Sequence, residues 1–327
     1  MKIKCVFLPH LISRSDCMID TYVHRLFKFS GAGNDFVVLD GRKADAGAFR
    51  EPERIGQLCR EFGTDGLMIL DDAPGLDFSM EFFNPDGSGG MMCGNGGRCI
   101  VAFANYLGIK PADGSVYRFQ APDGLHRAEI LEYPKEGADG CGPKASSAND
   151  FPRWTVRLQM IDTKEYRPCK EGWFLNTGTR HYVQFVPDVD ALDMDVCARP
   201  IRHDAEFQPL GTNVNFVEQR ADGLHVRTFE KGVEGETLAC GTGLTASAIA
   251  AFLAGIGPAG KRPADVKSGI GTDVSEGTPD NSTTGRITYR LQCRRGDWLT
   301  VDFLPGDGTF SSIHLTGPAE LISVARN

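Results

Sequence analysis

The chain has 327 residues, 41% of them hydrophobic, and a net charge of −8. That length accommodates two domains with real cores, and basic residues scattered through an acidic chain argue against nucleic acid as a partner. No apolar run reaches the roughly 18 residues of a membrane span, and ten cysteines without a Cys-x-x-Cys pair point neither to zinc nor to redox chemistry nor, at this length, to a disulfide framework.

Residues 1–23 read as an extension outside the fold. Cys5–Ile12 is a short apolar run broken by Pro9 and His10, no small-residue cleavage site follows it, and Met18 offers a second start. A first domain is expected over 24–150. It opens with a strand at Leu26–Phe29, a turn Gly31-Ala-Gly-Asn34-Asp35 and a second strand at Phe36–Leu39. Residues 51–62 have helical spacing, with Ile55, Leu58, Cys59 and Phe62 on one face. Strands are expected at Gly66–Leu70 and Phe78–Phe83, the latter delivering Asn84 to a glycine-rich loop that ends in Cys93-Gly94-Asn95-Gly96. An apolar helix then runs from about Gly97 to Leu107 and stops at Gly108. Strand-like stretches fill 115–133, and 134–150 has the composition of a surface loop.

A second domain is expected over 151–312. Trp154–Leu158 is a strand, and Phe174–Val183 carries a turn with Gly178, Thr179, Arg180 and His181. Residues 188–199 read as a helix, and Asn213–Val217 and Leu224–Phe229 as strands, the second ending in Glu230-Lys231. Glu236-Thr-Leu-Ala-Cys240-Gly241-Thr242-Gly243 then opens another apolar helix, stopped at Gly255. Residues 257–285 look like an exposed insertion, rich in Gly, Pro, Asp, Ser and Thr. Three strands, Ile287–Leu291, Trp298–Phe303 and Ile313–Leu315, follow, the last of them opening a C-terminal segment at 313–327.

The second half echoes the first. In both cysteine motifs a glycine stands 15 positions after the cysteine and an isoleucine follows it, Ile109 and Ile256. Asn84 precedes Cys93 by nine residues, as Lys231 precedes Cys240. This is an internal duplication at the scale of a domain. A helix N-terminus presents unpaired N–H groups and partial positive charge, which favour a thiolate and bind a carboxylate. Glycines at 94, 96, 241 and 243 let the backbone approach a ligand and adopt positive φ. Taken alone, each Cys-Gly-x-Gly is a turn before a helix; neither copy has the Lys-Ser/Thr of a Walker loop or the Gly-x-Gly-x-x-Gly of a dinucleotide site. Two matching thiols suit a two-base racemase or epimerase, one sulfur removing an α-proton and the other returning one to the opposite face.

Over roughly residues 25–325 the chain resembles the diaminopimelate epimerase family. The motifs that carry the resemblance are Gly31-Ala-Gly-Asn34-Asp-Phe, Asn84-x-Asp-Gly-Ser, Cys93-Gly-Asn-Gly-x-Arg-Cys, Glu236-Thr-x-x-Cys240-Gly-Thr-Gly and Thr316-Gly-Pro-Ala. The resemblance implies an α/β (α+β) fold of two pseudo-symmetric domains, each a mostly antiparallel curved sheet or barrel around a central helix, with the segment after Thr316 crossing back to the first. It also implies a PLP-independent isomerase that interconverts LL- and meso-2,6-diaminopimelate for lysine and peptidoglycan precursor synthesis, with the substrate in the cleft between the domains. Cys93 and Cys240 would be the bases, with His181 and Glu230 tuning or deprotonating them. Asn34, Asn84, Gly94, Asn95, Thr179, Asn213, Glu230, Lys231, Gly241 and Thr242 would bind substrate. No metal, pyridoxal phosphate or nucleotide is implied, and a homodimer is compatible with the pattern. Thiol chemistry points to the cytoplasm.

Three positions depart from the family pattern: Ser30 where a His is usual, Thr179-Arg180 where Asn-Pro is usual, and Lys231 where an Arg is usual. Lysine keeps the charge but loses the planar grip on a carboxylate. A racemase of another amino acid on the same fold is therefore the alternative reading. A non-catalytic acid-binding relative and a cysteine hydrolase using His181 each leave one of the two thiols unexplained.

Overall fold

The computed structural model of the chain describes residues 25–42, 46–90, 93–134, 151–258 and 285–326. The N-terminal extension, and most of the loop at 134–150 and of the insertion at 257–285, lie outside them. The described residues form two compact units: those up to Leu158 together with Gly317 onward, and those from Gln159 to Thr316.

The first unit holds strands β1 (Arg25–Ser30), β2 (Asp35–Asp40), β3 (Gly66–Asp71), β4 (Phe78–Phe83), β5 (Val116–Ala121), β6 (Gly124–Glu132) and β7 (Arg153–Gln159). They hydrogen-bond in chain order, and the C-terminal part of β16 (Thr309–Arg326) pairs with both β7 and β1, closing an eight-stranded barrel. The pairs β2–β3 and β4–β5 are parallel and the others antiparallel. Helix α1 (Pro52–Phe62) begins with Pro at its first turn and ends at Gly63 in the left-handed conformation, whose N–H reaches the Cys59 carbonyl. A short 3₁₀ turn, Gly47–Arg50, precedes it.

Strands β1 to β3 are buried on both faces, so they read as nearly continuous apolar runs. One face, Leu26, Val37, Leu39, Leu67 and Ile69, packs on Ile55, Leu58 and Cys59 of α1. The other meets helix α2 (Gly94–Tyr106), which is buried at every position from Gly94 to Ala104. Phe103 of α2 lies 5.0 Å from the Phe27 ring and 5.7 Å from the Phe29 ring. A helix buried on every side, with Arg98 and Asn95 hydrogen-bonded within it, can only sit inside a core, and α2 occupies the barrel interior.

The second unit repeats the plan. Its strands are β8 (Tyr166–Cys169), β9 (Gly172–Asn176), β10 (Arg180–Phe185), β11 (Asn213–Arg220), β12 (Gly223–Glu230), β14 (Ile287–Gln292), β15 (Trp298–Gly306) and the first part of β16, with β13 (Gly235–Thr237) added beside β12. The pairs β10–β11 and β12–β14 are parallel, each joined through a helix as β2–β3 and β4–β5 are, so that β9 corresponds to β1. A bridge between Thr163 and Phe310 links the two ends of the series. Helix α3 (Met194–Arg202) takes the position of α1, and α4 (Gly241–Leu253) that of α2. The duplication expected from the cysteine motifs is thus a duplication of topology.

Two boundaries differ from expectation for local reasons. The helix read over 188–199 begins at Met194, because the Asp193 carboxylate caps it by accepting from Asp195 and Val196 N–H. Both central helices start one residue after their cysteine, at Gly94 and Gly241, so the glycines there form the first helical turn. None of Gly94, Gly96, Gly241 and Gly243 has positive φ. Gly243 serves close approach instead: a Cβ there would lie 2.5 Å from Asn215 Oδ1.

Candidate active site

In the first unit, Cys93 is the N-cap of α2, and its sulfur accepts from the Gly96 N–H at 3.2 Å. Asn95 is buried, and its amide donates to Asn34 Oδ1 from the turn between β1 and β2. Arg98, fully buried one turn further on, holds that arrangement. Its guanidinium donates to Gly94 O (2.9 Å), Asn95 Oδ1 (2.9 Å), Gly31 O (3.1 Å) and Pro318 O (3.2 Å). It pins the first turn of α2 to the β1–β2 turn and to the returning strand. Gly31 has to lack a side chain there, since a Cβ would lie 2.7 Å from Asn95 O and 2.9 Å from Cys99 Sγ. Asn84 stands at the end of β4 in a self-bonded turn: its amide donates to Ser88 Oγ, and Ser88 donates to Asp86. The Ser88 bonds hold the Asp86 carboxyl below its ordinary value.

The second unit gathers Thr179, His181, Asn213, Glu230, Lys231, Cys240 and Thr242 into one cluster. Cys240 is the N-cap of α4 and buried. Burial, and next the charge of Glu230, push its thiol well above the ordinary value; the Thr242 hydroxyl and Gly243 N–H act the other way. The Thr242 hydroxyl lies 3.4 Å from the sulfur, and Glu230 is within hydrogen-bond reach of it while accepting from Thr237 Oγ1 at 2.6 Å. His181 sits on β10, fully buried, on the face opposite the α3-facing Tyr182. Its Nε2 is 2.8 Å from Thr179 Oγ1 and 3.0 Å from Thr242 Oγ1, while Asn215 Nδ2 donates to Nδ1 at 3.0 Å. Burial pushes the imidazole down to about 3, so it is neutral near pH 7. His181 therefore reaches Cys240 through Thr242.

Asn213 accepts the Lys231 N–H at 2.8 Å and donates to Arg180 O at 3.1 Å. Lys231 itself turns its ammonium to Leu210 O at 2.8 Å. Arg180 stacks over the Phe174 ring, 4.9 Å from its centroid, and donates to Phe207 O. Burial raises the thiols of Cys59, Cys99, Cys169 and Cys293, as suits inert core cysteines. Sequence reasoning left Arg98 unassigned and did not single out Asn215, Thr228 or Thr237. A signal existed for Asn215: it stands two residues after Asn213 on a strand, hence on the same face.

Among the described residues no group of three His, Cys, Asp or Glu is placed to hold a metal ion, and no helix is long and apolar enough to cross a membrane.

A family model described as diaminopimelate epimerase matches residues 26–134 and 173–289. The chain is 41% identical to a diaminopimelate epimerase from Chlorobaculum tepidum over 236 residues, 69% of this chain and 82% of that one. It is 35% identical to one from Flavobacterium psychrophilum over 302 residues, 91% of this chain and 98% of that one. Among solved structures, a Bacillus anthracis phenazine biosynthesis protein of the PhzF family superposes with a TM-score of 0.59 at 10% identity, covering 93% of this chain and 99% of that one. A probable proline racemase from Agrobacterium radiobacter does so with a TM-score of 0.54 at 14% identity, covering 92% of each chain. At those identities the two structures share the fold alone. The relatives, the matched model and the doubled barrel agree: the chain is an isomerase and belongs to the diaminopimelate epimerase family.

Proposed function

We propose that the chain interconverts LL- and meso-2,6-diaminopimelate, with Cys93 and Cys240 as the two bases. The observation that carries the reading is the equivalence of the two thiols: each is the N-cap of the buried helix inside its unit, at the same place in the repeated topology. Cys240 rests as a thiol beside Glu230. Passing its proton to that carboxylate makes a strongly basic thiolate, which suits removal of a weakly acidic α-proton. Cys93 then supplies its own proton to the opposite face of the carbanion. This leaves Cys240 and Glu230 protonated and Cys93 a thiolate, and the cycle resets when Glu230 releases its proton to solvent and Cys93 takes one up. The N–H groups of Gly94, Asn95, Gly241 and Thr242 at the helix starts are the proposed donors to the α-carboxylate, whose negative charge grows in the transition state. Asn34, Asn84, Thr179, Asn213 and Lys231 are the proposed contacts to the rest of the substrate. Two reactive thiols need a reducing compartment, so the cytoplasm is the proposed location.

The test is NMR of LL-diaminopimelate with reduced protein in D₂O. Loss of the α-proton signal together with appearance of the meso isomer supports the reading. No exchange by folded, reduced protein rejects it. A second reading, racemisation of another amino acid, is favoured by Lys231 and Arg180, whose cationic groups are engaged by Leu210 O, and by Phe207 O and the Phe174 ring. A panel of amino acids in the same D₂O assay decides between them.

A further inference from the structure

We propose that Asn215 is a positioning residue that locks His181 as the neutral Nε2–H tautomer, so that the Thr242 hydroxyl proton is aimed at Cys240 Sγ. The inference rests on the reading of Cys240 as one of the two bases.

The lock follows from one carbonyl. Asn215 is fully buried. Its side-chain nitrogen lies 3.1 Å from Tyr182 O, which can only accept, so the group facing it is the NH₂. The same NH₂ is 3.0 Å from His181 Nδ1, and the Asn215 oxygen accepts from Thr228 Oγ1 at 2.9 Å. A donor is aimed at Nδ1 at 3.0 Å, whereas the Asn213 NH₂ is 3.5 Å from Nε2 and bonds Arg180 O at 3.1 Å, so Nδ1 is the bare nitrogen and the ring proton of the neutral imidazole is on Nε2. Gly243 leaves the room for this contact, since its Cβ would strike Asn215 Oδ1 and come within 3.3 Å of His181 Cε1.

The consequence passes along the hydroxyls. Nε2–H is a donor toward Thr179 Oγ1 at 2.8 Å and Thr242 Oγ1 at 3.0 Å, and the two hydroxyls are 3.0 Å apart. Because Nε2 cannot accept, the Thr242 proton has no place on the ring. The shorter contact, Nε2–H to Thr179 at 2.8 Å, turns the Thr179 proton to Thr242 and leaves the Thr242 O–H to point at Cys240 Sγ, 3.4 Å away. No proton leaves Thr242; its hydroxyl stabilises the thiolate once Cys240 has given up its proton. With the opposite tautomer, Nε2 would accept from Thr242 and withdraw that hydroxyl from the sulfur.

The experiment uses the full chain without substrate, so its outcome is separate from whether diaminopimelate is turned over. Nitrogen-15 NMR of histidine-labelled protein should show His181 with a bare Nδ1 and a protonated Nε2 from pH 8 down to pH 5. A proton on Nδ1, or an imidazolium in that range, overturns the lock. Alkylation of Cys240 by iodoacetamide, read by peptide mass spectrometry, should slow about threefold in Thr242→Val with the tautomer unchanged: loss of one hydrogen bond to the charged sulfur leaves about tenfold less thiolate, partly offset by its greater nucleophilicity. Equal alkylation of folded Thr242→Val and wild type overturns the hydroxyl step. Asn215→Leu should lose the single tautomer and slow alkylation to the same degree; a folded variant that keeps the wild-type tautomer overturns the role of Asn215. Should that variant not fold, the wild-type spectrum and Thr242→Val decide.

Discussion

The two cysteines are equivalent in topology and different in surroundings. Cys93 is half-buried and bonded to its own helix through Gly96 N–H, whereas Cys240 is buried against Glu230 and Thr242. Replacing either with Ala removes one of the two proposed acid–base groups, and a fall in kcat of about 10²- to 10⁴-fold is expected in each variant. A steady-state assay of both substrate directions checks this, and near-full epimerisation by either variant would sink the two-base mechanism. His181 makes a separate prediction about stability. Its folded pKa, about 3, lies below the ordinary 6.5. The unfolded chain therefore binds an extra proton between those values. The stabilisation is complete above pH 6.5 and is lost as pH falls toward 3, with a slope of up to about 1.4 kcal/mol per pH unit. Urea midpoints between pH 7 and 4 should fall more steeply for wild type than for His181→Asn; parallel slopes would show that His181 is not buried neutral.

At the scale of elements, what matters is how the start of each central helix is anchored. For α2 the anchor is Arg98, which ties Gly94 and Asn95 to Gly31 and Pro318. Arg98→Met keeps much of the volume but strands buried carbonyls, at a cost on the order of 3 kcal/mol. The expected result is a lower urea midpoint at unchanged m-value, together with lost activity as Asn95 and Asn34 drift. A midpoint equal to wild type would show that the clamp is dispensable. The helices themselves were legible because all-apolar stretches between a glycine-rich start and a glycine stop have few other solutions. Their first turns were not, since a glycine-rich run reads as a turn unless its neighbours are known. The start of α3 was placed early for a related reason: only the observed cap of Asp193 separates the turn at 188–192 from the helix.

For the whole molecule the decisive element is β16, one strand that serves both barrels. Thr309–Thr316 pair with β15, and residues from Gly317 onward pair with β7 and β1. A chain ending at Thr316 leaves β1 and β7 as two open edges, a ready template for intermolecular pairing. Light scattering and circular dichroism of that truncation should show aggregation and loss of strand signal; a soluble protein with wild-type unfolding would show that closure is not needed. The strand order also explains how the duplicated sequence works. Each copy makes parallel pairs at the same two steps, so each thiol-bearing helix enters its barrel at the same place.

The two cysteine motifs and their equal offsets made the duplication legible, with one thiol at the start of each apolar helix, and the resemblance to the family carried the α/β fold and the isomerase reading. Those features are local, and periodicity and turn chemistry report local structure directly. Tertiary structure alone decided which side chains face each thiol. That His181 meets Thr242 and Asn215, that Glu230 lies beside Cys240, and that Arg98 ties α2 to Pro318 depend on strand register and on the return of β16. These contacts join residues up to 220 positions apart, and no pattern within a single stretch of chain encodes such a pairing.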